Sequence, residues 1–179
     1  MAELPSTRRW LGRLSFTLIA LVLIFAKLLP LDTMPRHWAP PDIVLAITVA
    51  WVVRRPDFVP SWLIVTIFLL CDILFQRPPG LWTLMVLLLT EGLRSRSEGL
   101  RDVPFMLEWA TVAVGLILIA VLNRTILAIL LAPLAPLGLT LSQLALTILI
   151  YPVILMASQV LFGVRRPAPG EVDGLGHPL

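Results

Sequence analysis

Six apolar runs, each closed by proline, arginine or a polar turn, fill most of this chain and leave no polar stretch long enough for a soluble domain. The first, from about Trp10 to Leu29, has the roughly 20 residues a helix needs to cross a hydrocarbon core of about 30 Å. Pro30, Pro35, Pro40 and Pro41 then break the backbone, so Leu31 to Ala39 reads as a loop. The remaining runs are Asp42 to Val53, Ser61 to Phe75, Leu81 to Leu93, Pro104 to Leu131 and Leu139 to Val164. The expected fold is an all-α membrane protein, a compact bundle of six transmembrane helices in a single domain, 1–164. A short polar tail, 165–179, is expected to be disordered. Arg8, Arg9 and Arg13 before the first run could open a signal peptide, but no small-x-small cleavage site follows, so it reads as a retained first helix.

Composition agrees with a lipid solvent. Hydrophobic residues make up 58% and charged residues 14%, where soluble domains carry about 25% charged, and the mean hydropathy is +0.93. The net charge of +3 does not indicate nucleic acid, because the basic residues lie between apolar runs rather than in one patch. The single cysteine, Cys71, excludes an internal disulfide and gives no metal-ligand spacing. His37 and His177 fall in a loop and in the tail. No nucleophile elbow, His-Glu-x-x-His or phosphate loop is present, so neither catalytic residues, metal ligands nor a cofactor are expected.

Two runs, the second and fourth, are about 13 residues, roughly 20 Å as helix. They read as short helices enclosed by longer ones, with re-entrant hairpins as the alternative. Six crossings put both termini on one side with Arg54, Arg55, Arg94, Arg96, Arg101, Arg165 and Arg166, and the opposite loops carry only Arg36 and Arg77. The positive-inside rule places the arginine-rich side, and both termini, in the cytoplasm. Trp10, Trp38, Trp51, Trp62, Trp82 and Trp109 fall at segment ends, as an interfacial belt requires.

The charged residues inside the runs are the informative ones. Asp72 sits in an apolar helix, where an ionised carboxylate costs several kcal/mol unless paired or hydrated. This topology brings Lys27, Asp72 and Arg124 to similar depth near the outer face, so an Asp72–Lys27 or Asp72–Arg124 pair is expected. Glu91 and Glu108, towards the cytoplasmic ends of their helices, read as solvated or snorkelling acids, with Arg94 or Arg96 as candidate partners. Cys71 reads as a buried, inert thiol. Asp42 after two prolines suits a helix cap. Pro152 should kink the last helix by removing the hydrogen bond to Ile148. Small residues four apart at Ala46/Ala50, Thr111/Gly115 and Ala128/Ala132 suggest close internal helix packing.

Pro41-Asp42 opening a short second helix, Arg54-Arg55-Pro56 closing it, and Leu70-Cys71-Asp72-Ile73-Leu74 running into Pro78-Pro79-Gly80-Leu81 resemble the bacterial rod-shape-determining MreD family. Size, span count and the basic loop after the fourth helix extend the resemblance over nearly the whole chain. It implies a non-enzymatic scaffold of the cell-elongation machinery in the bacterial inner membrane. Such a scaffold binds the single-span protein MreC and works indirectly with MreB, RodA and a penicillin-binding transpeptidase in peptidoglycan synthesis. It also implies a fold like the S components of energy-coupling-factor vitamin transporters, with a pocket opening outward. A substrate-binding S component is the alternative function. S components commonly carry Ala-x-x-x-Ala on the first helix, and here Ala20 is followed four residues later by Ile24. The third-to-fourth helix turn and the uncharged loop near Pro133 to Gly138 are the expected docking elements, and the cytoplasmic arginine loops are expected to favour anionic lipid.

Overall fold

The computed structural model describes residues 5–29, 38–97, 99 and 104–162. Arg36, His37, Arg101, Arg165, Arg166, His177 and the 165–179 tail lie outside them. Six α-helices and no strands are found among the described residues. They are α1 (Pro5–Leu28), α2 (Ile43–Arg54), α3 (Ser61–Leu74), α4 (Leu81–Arg94), α5 (Phe105–Ile129) and α6 (Leu137–Phe162), with a 3-10 turn at Pro56–Phe58 between α2 and α3. Three of them, α1, α5 and α6, are long and apolar enough to cross a membrane. The helices α2, α3 and α4 have 12, 14 and 14 residues, about 18–21 Å at 1.5 Å per residue.

Local chemistry sets the boundaries of the short helices. Asp42 caps α2, its Oδ1 accepting from the Leu45 N–H at 3.3 Å, and Pro40 and Pro41 before it disfavour any backward extension. At the other end Arg55 leaves the helical region because Pro56 follows, and Pro60 then starts α3 from an extended conformation. The α3 helix ends on a left-handed residue, Gln76, at φ 53°. Arg77 N–H reaches back to the Asp72 carbonyl and Gln76 N–H to that of Ile73, at 2.9 and 3.3 Å, which is a Schellman closure. Glycine is the residue that takes this conformation without a Cβ penalty. Gln76→Gly is therefore expected to stabilise the protein by about 1 kcal/mol, read as a raised midpoint of thermal unfolding in detergent.

Contacts between helices give the topology. Arg13 of α1 reaches the Asp57 carbonyl, Ser61 at the start of α3 reaches Glu91 near the end of α4, and Arg54 at the end of α2 meets Glu108 at the start of α5. All belong to one end of the bundle, the arginine end. At the other, Asp42 at the start of α2 meets Thr147 of α6, and Asp72 near the end of α3 meets the start of α4. The six helices thus alternate in direction.

The most buried helix is α2, which packs against α1, α4 and α6. Val49, Ala50, Trp51 and Val52 are sealed on all sides. The long helices do the opposite: Val22, Phe25, Leu118, Met156 and Val160 face outward. Threonines 48, 83 and 90, Asp72 and Glu108 are buried. Apolar outside and polar groups gathered inside is the arrangement lipid demands, since association of helices there depends on packing and hydrogen bonds.

Two expectations meet this fold differently. Trp51 is not an interfacial residue: it lies in the core against Phe16 and Phe58, its indole N–H donating to Ser158 at 3.0 Å. The helical run of α2 continues past it to Arg54, which carries the indole inward instead of to the boundary. Pro152 lies inside α6 without ending it. Proline has no N–H for the Ile148 carbonyl, and the indole N–H of Trp109 on α5 donates to that oxygen at 3.0 Å. The neighbouring helix supplies the bond the proline removed.

Candidate functional site

The carboxylate of Asp72, fully buried, is met by a helix N-terminus. Its Oδ2 accepts from the Gly80 N–H at 3.0 Å, the Thr83 N–H at 3.2 Å and the Thr83 hydroxyl at 2.8 Å. Gly80 precedes α4 at φ 87°, a conformation that suits a residue without a Cβ. The Pro78-Pro79-Gly80 turn thus folds the start of α4 back onto α3, and the unpaired N–H groups and positive dipole end of α4 receive the charge. Oδ1 is buried without a hydrogen-bond partner.

The expected partners stand elsewhere. No ion pair joins Asp72 to Lys27 or Arg124 among the described residues. The Lys27 ammonium lies 4.8 Å from the centre of the Phe75 ring. Arg124 donates to the Ala135 carbonyl at 3.0 Å and lies near the Thr140 hydroxyl at 3.4 Å. A capping carboxylate needs no cation because backbone dipoles supply the countercharge locally, leaving Lys27 and Arg124 free for other contacts. Asp72 follows buried Cys71 on α3. Arg77 stacks 5.7 Å from both the Phe75 and Trp82 rings.

Beside Asp42 and Arg77 a cavity of about 300 Å³ opens at the end of the bundle opposite the arginine end. Its walls come from the start of α2, the α3–α4 turn, the last turns of α5, the α5–α6 loop and the first turns of α6. Arg77, Arg124, Asp42, Asn123 and Gln143 supply its polar groups, set among leucines, prolines and Trp82. Few convergent polar groups on an apolar wall make a recognition site. The α3–α4 turn and the loop after α5, picked out separately in the sequence, share this one cavity: Pro78 and Trp82 line one wall, Pro133 and Leu134 another. Sequence reasoning passed over Arg77, Asn123 and Gln143. Pro78 and Pro79 directly after Arg77 were the available signal for Arg77, since a rigid turn aims its neighbour.

The arginine end holds a second polar centre. Glu108, fully buried, accepts from Arg54 at 3.1 and 3.2 Å and from the Tyr151 hydroxyl at 3.1 Å. Glu108 is therefore not solvated, and its described cation is Arg54, not Arg94 or Arg96. It occupies the first turn of α5 facing the end of α2, so Arg54 (side chain 16% exposed) turns into the bundle instead of snorkelling outward. Glu91 does remain exposed, beside Arg94 at 3.5 Å, and Arg94 also donates to the Val59 carbonyl at 2.7 Å.

Comparison with protein-family models, curated proteins and solved structures returns no match for this chain.

Proposed function

We propose that this protein is an integral-membrane scaffold of the bacterial cell-elongation complex, a multi-pass inner-membrane protein whose outer cavity holds an MreC-like single-span partner. All six helices cross the membrane in this reading, with the arginine end cytoplasmic by the positive-inside rule. The short helices α2, α3 and α4 are accommodated by flanking residues and local thinning. The observation that carries the reading is the shared cavity. Two segments of the outer end, the Pro78-Pro79-Gly80 turn and the loop around Pro133, converge on one apolar hollow with two guanidinium groups at hand. Exposed apolar residues such as Leu134 of this loop and Leu137 at the start of α6 gain by being covered. MreB, RodA and the transpeptidase would then be reached through the partner.

A tagged protein pulled from native membranes in mild detergent is expected to bring down a single-span coiled-coil protein with wall-synthesis enzymes. Ala120→Phe, which fills the cavity, and Leu134→Glu, which charges its rim, are each expected to lower that recovery about tenfold, the weight of one interface hot spot. Unchanged recovery in both would overturn the docking role. The cavity volume also falls at the lower end of small-molecule sites, which favours solute capture as a second reading. Recovery of ATPase subunits with a coupling membrane protein would establish that reading instead, with Arg77, Arg124 and Asp42 as ligand residues.

A further inference from the structure

A second hollow, a groove of about 480 Å³, runs between α4 and α5 on the outward face of the bundle. We propose that it holds one acyl chain of an anionic phospholipid of the leaflet at the arginine end, with the lipid phosphate on Arg96. Gly92, Ala110 and Gly115 line it together with the exposed Leu88, Leu107 and Leu118. At Gly115 a Cβ would overlap Leu89 of α4, so the two helices approach closely there, and the small residues on either side leave the hollow.

Length identifies the occupant. Along α5 the lining runs from Leu107 to Ile119, about 18 Å at 1.5 Å per residue. That is close to one leaflet, half of a core of about 30 Å. A partner's transmembrane helix needs a seam through the full thickness, and this groove stops near mid-membrane. Charge identifies the headgroup. Arg96 lines the groove at its arginine-end mouth, its side chain exposed and without a hydrogen bond or ion pair to a described residue, whereas Arg54 and Arg94 are engaged by Glu108 and by Val59 and Glu91. An uncommitted guanidinium at the mouth of an apolar trough one leaflet long fits a phosphate carrying an acyl chain. The inference needs the membrane placement but not the scaffold role.

The purified full-length protein, placed in nanodiscs of equal phosphatidylglycerol and phosphatidylcholine and released for native mass spectrometry, reads this directly. Wild type is expected to retain phosphatidylglycerol over phosphatidylcholine by roughly fivefold, the worth of one arginine at an anionic surface. Arg96→Gln should equalise the two lipids, Ala110→Phe should remove both, and Arg9→Gln, at an exposed residue of α1, should change nothing. Elution as a single monodisperse peak checks folding, and if Ala110→Phe fails it, the Arg96→Gln comparison decides alone. No preference in wild type, or a preference that survives Arg96→Gln, overturns the proposal. So does a loss of partner recovery or of a dimer on Ala110→Phe, which gives the groove to a protein helix. Cavity variants that abolish partner recovery while lipid retention persists would affect only the scaffold reading.

Discussion

Arg54→Leu is expected to destabilise the protein by about 3–5 kcal/mol, the usual cost of removing one member of a buried ion pair. The loss arises on the partner that stays. Glu108 is fully buried, and both its oxygens face Arg54, Oε1 also receiving the Tyr151 hydroxyl. Without the guanidinium the buried carboxylate loses its described cation in a poor dielectric. The dipole of α5, whose first turn carries Glu108, returns only a part, about 1 kcal/mol. Denaturant or thermal unfolding in detergent measures the loss. Replacing the group together, Arg54→Met, Glu108→Met and Tyr151→Phe, should recover more than half of it, because a packed apolar cluster tolerates what a buried charge short of its Arg54 partner does not. A cost below about 1 kcal/mol for Arg54→Leu would mean that the pair behaves as an exposed one. The triple variant also separates stability from partner binding, since none of the three residues lines the outer cavity.

The helices were legible in the sequence to within a few residues because their boundaries are chemical: proline pairs, an Asp cap, a glycine and arginines each act locally. The alternation of direction followed from them. Side-chain pairing did not, and Asp72 and Glu108 show why. Both are acids in apolar runs, and hydropathy cannot tell which face of a helix carries them. Glu108 reads as solvated from its place near a helix end. Yet α5 turns that face onto the end of α2, and only the packing reveals it. For Asp72 the depth argument counted cations and overlooked backbone dipoles. The signal was present in the spacing of Asp72 to Gly80 and Thr83, a carboxylate followed by a tight turn and a hydroxyl in the next helix's first turn. Trp109 is a similar case. Its role follows from Pro152, more than forty positions later, and nothing local announces it. An outward pocket is what the family resemblance alone implies, and the volume of this cavity and the place of Arg77 on its wall rest on the turn geometry.

Asp72→Ala is expected to cost about 3 kcal/mol, because it strips a charged acceptor from three donors at once, each such bond being worth about 1.5–3 kcal/mol before the released carboxylate's own desolvation is credited back. Asp72→Asn keeps one acceptor oxygen and should lose about 1 kcal/mol. Amide hydrogen exchange offers the local readout: Gly80 and Thr83 should lose protection in the alanine variant, while the core of α2 changes only with global stability. The capping account and the ion-pair account separate on the cations. If Asp72 were held by Lys27 or Arg124, removing the responsible cation would leave it unpaired and cost as much as losing Asp72 itself. With α4 as the counterion, Lys27→Met and Arg124→Met should each cost less than about 1 kcal/mol. Because the same turn places Arg77, Pro78 and Trp82 on the cavity wall, Asp72→Ala should weaken partner recovery beyond what its stability loss explains. Arg54→Leu, with a comparable loss at the other end of the bundle, supplies the control for that comparison. If the two variants lowered recovery equally at matched stability, Asp72 would be a fold residue alone and the turn would have no share in docking.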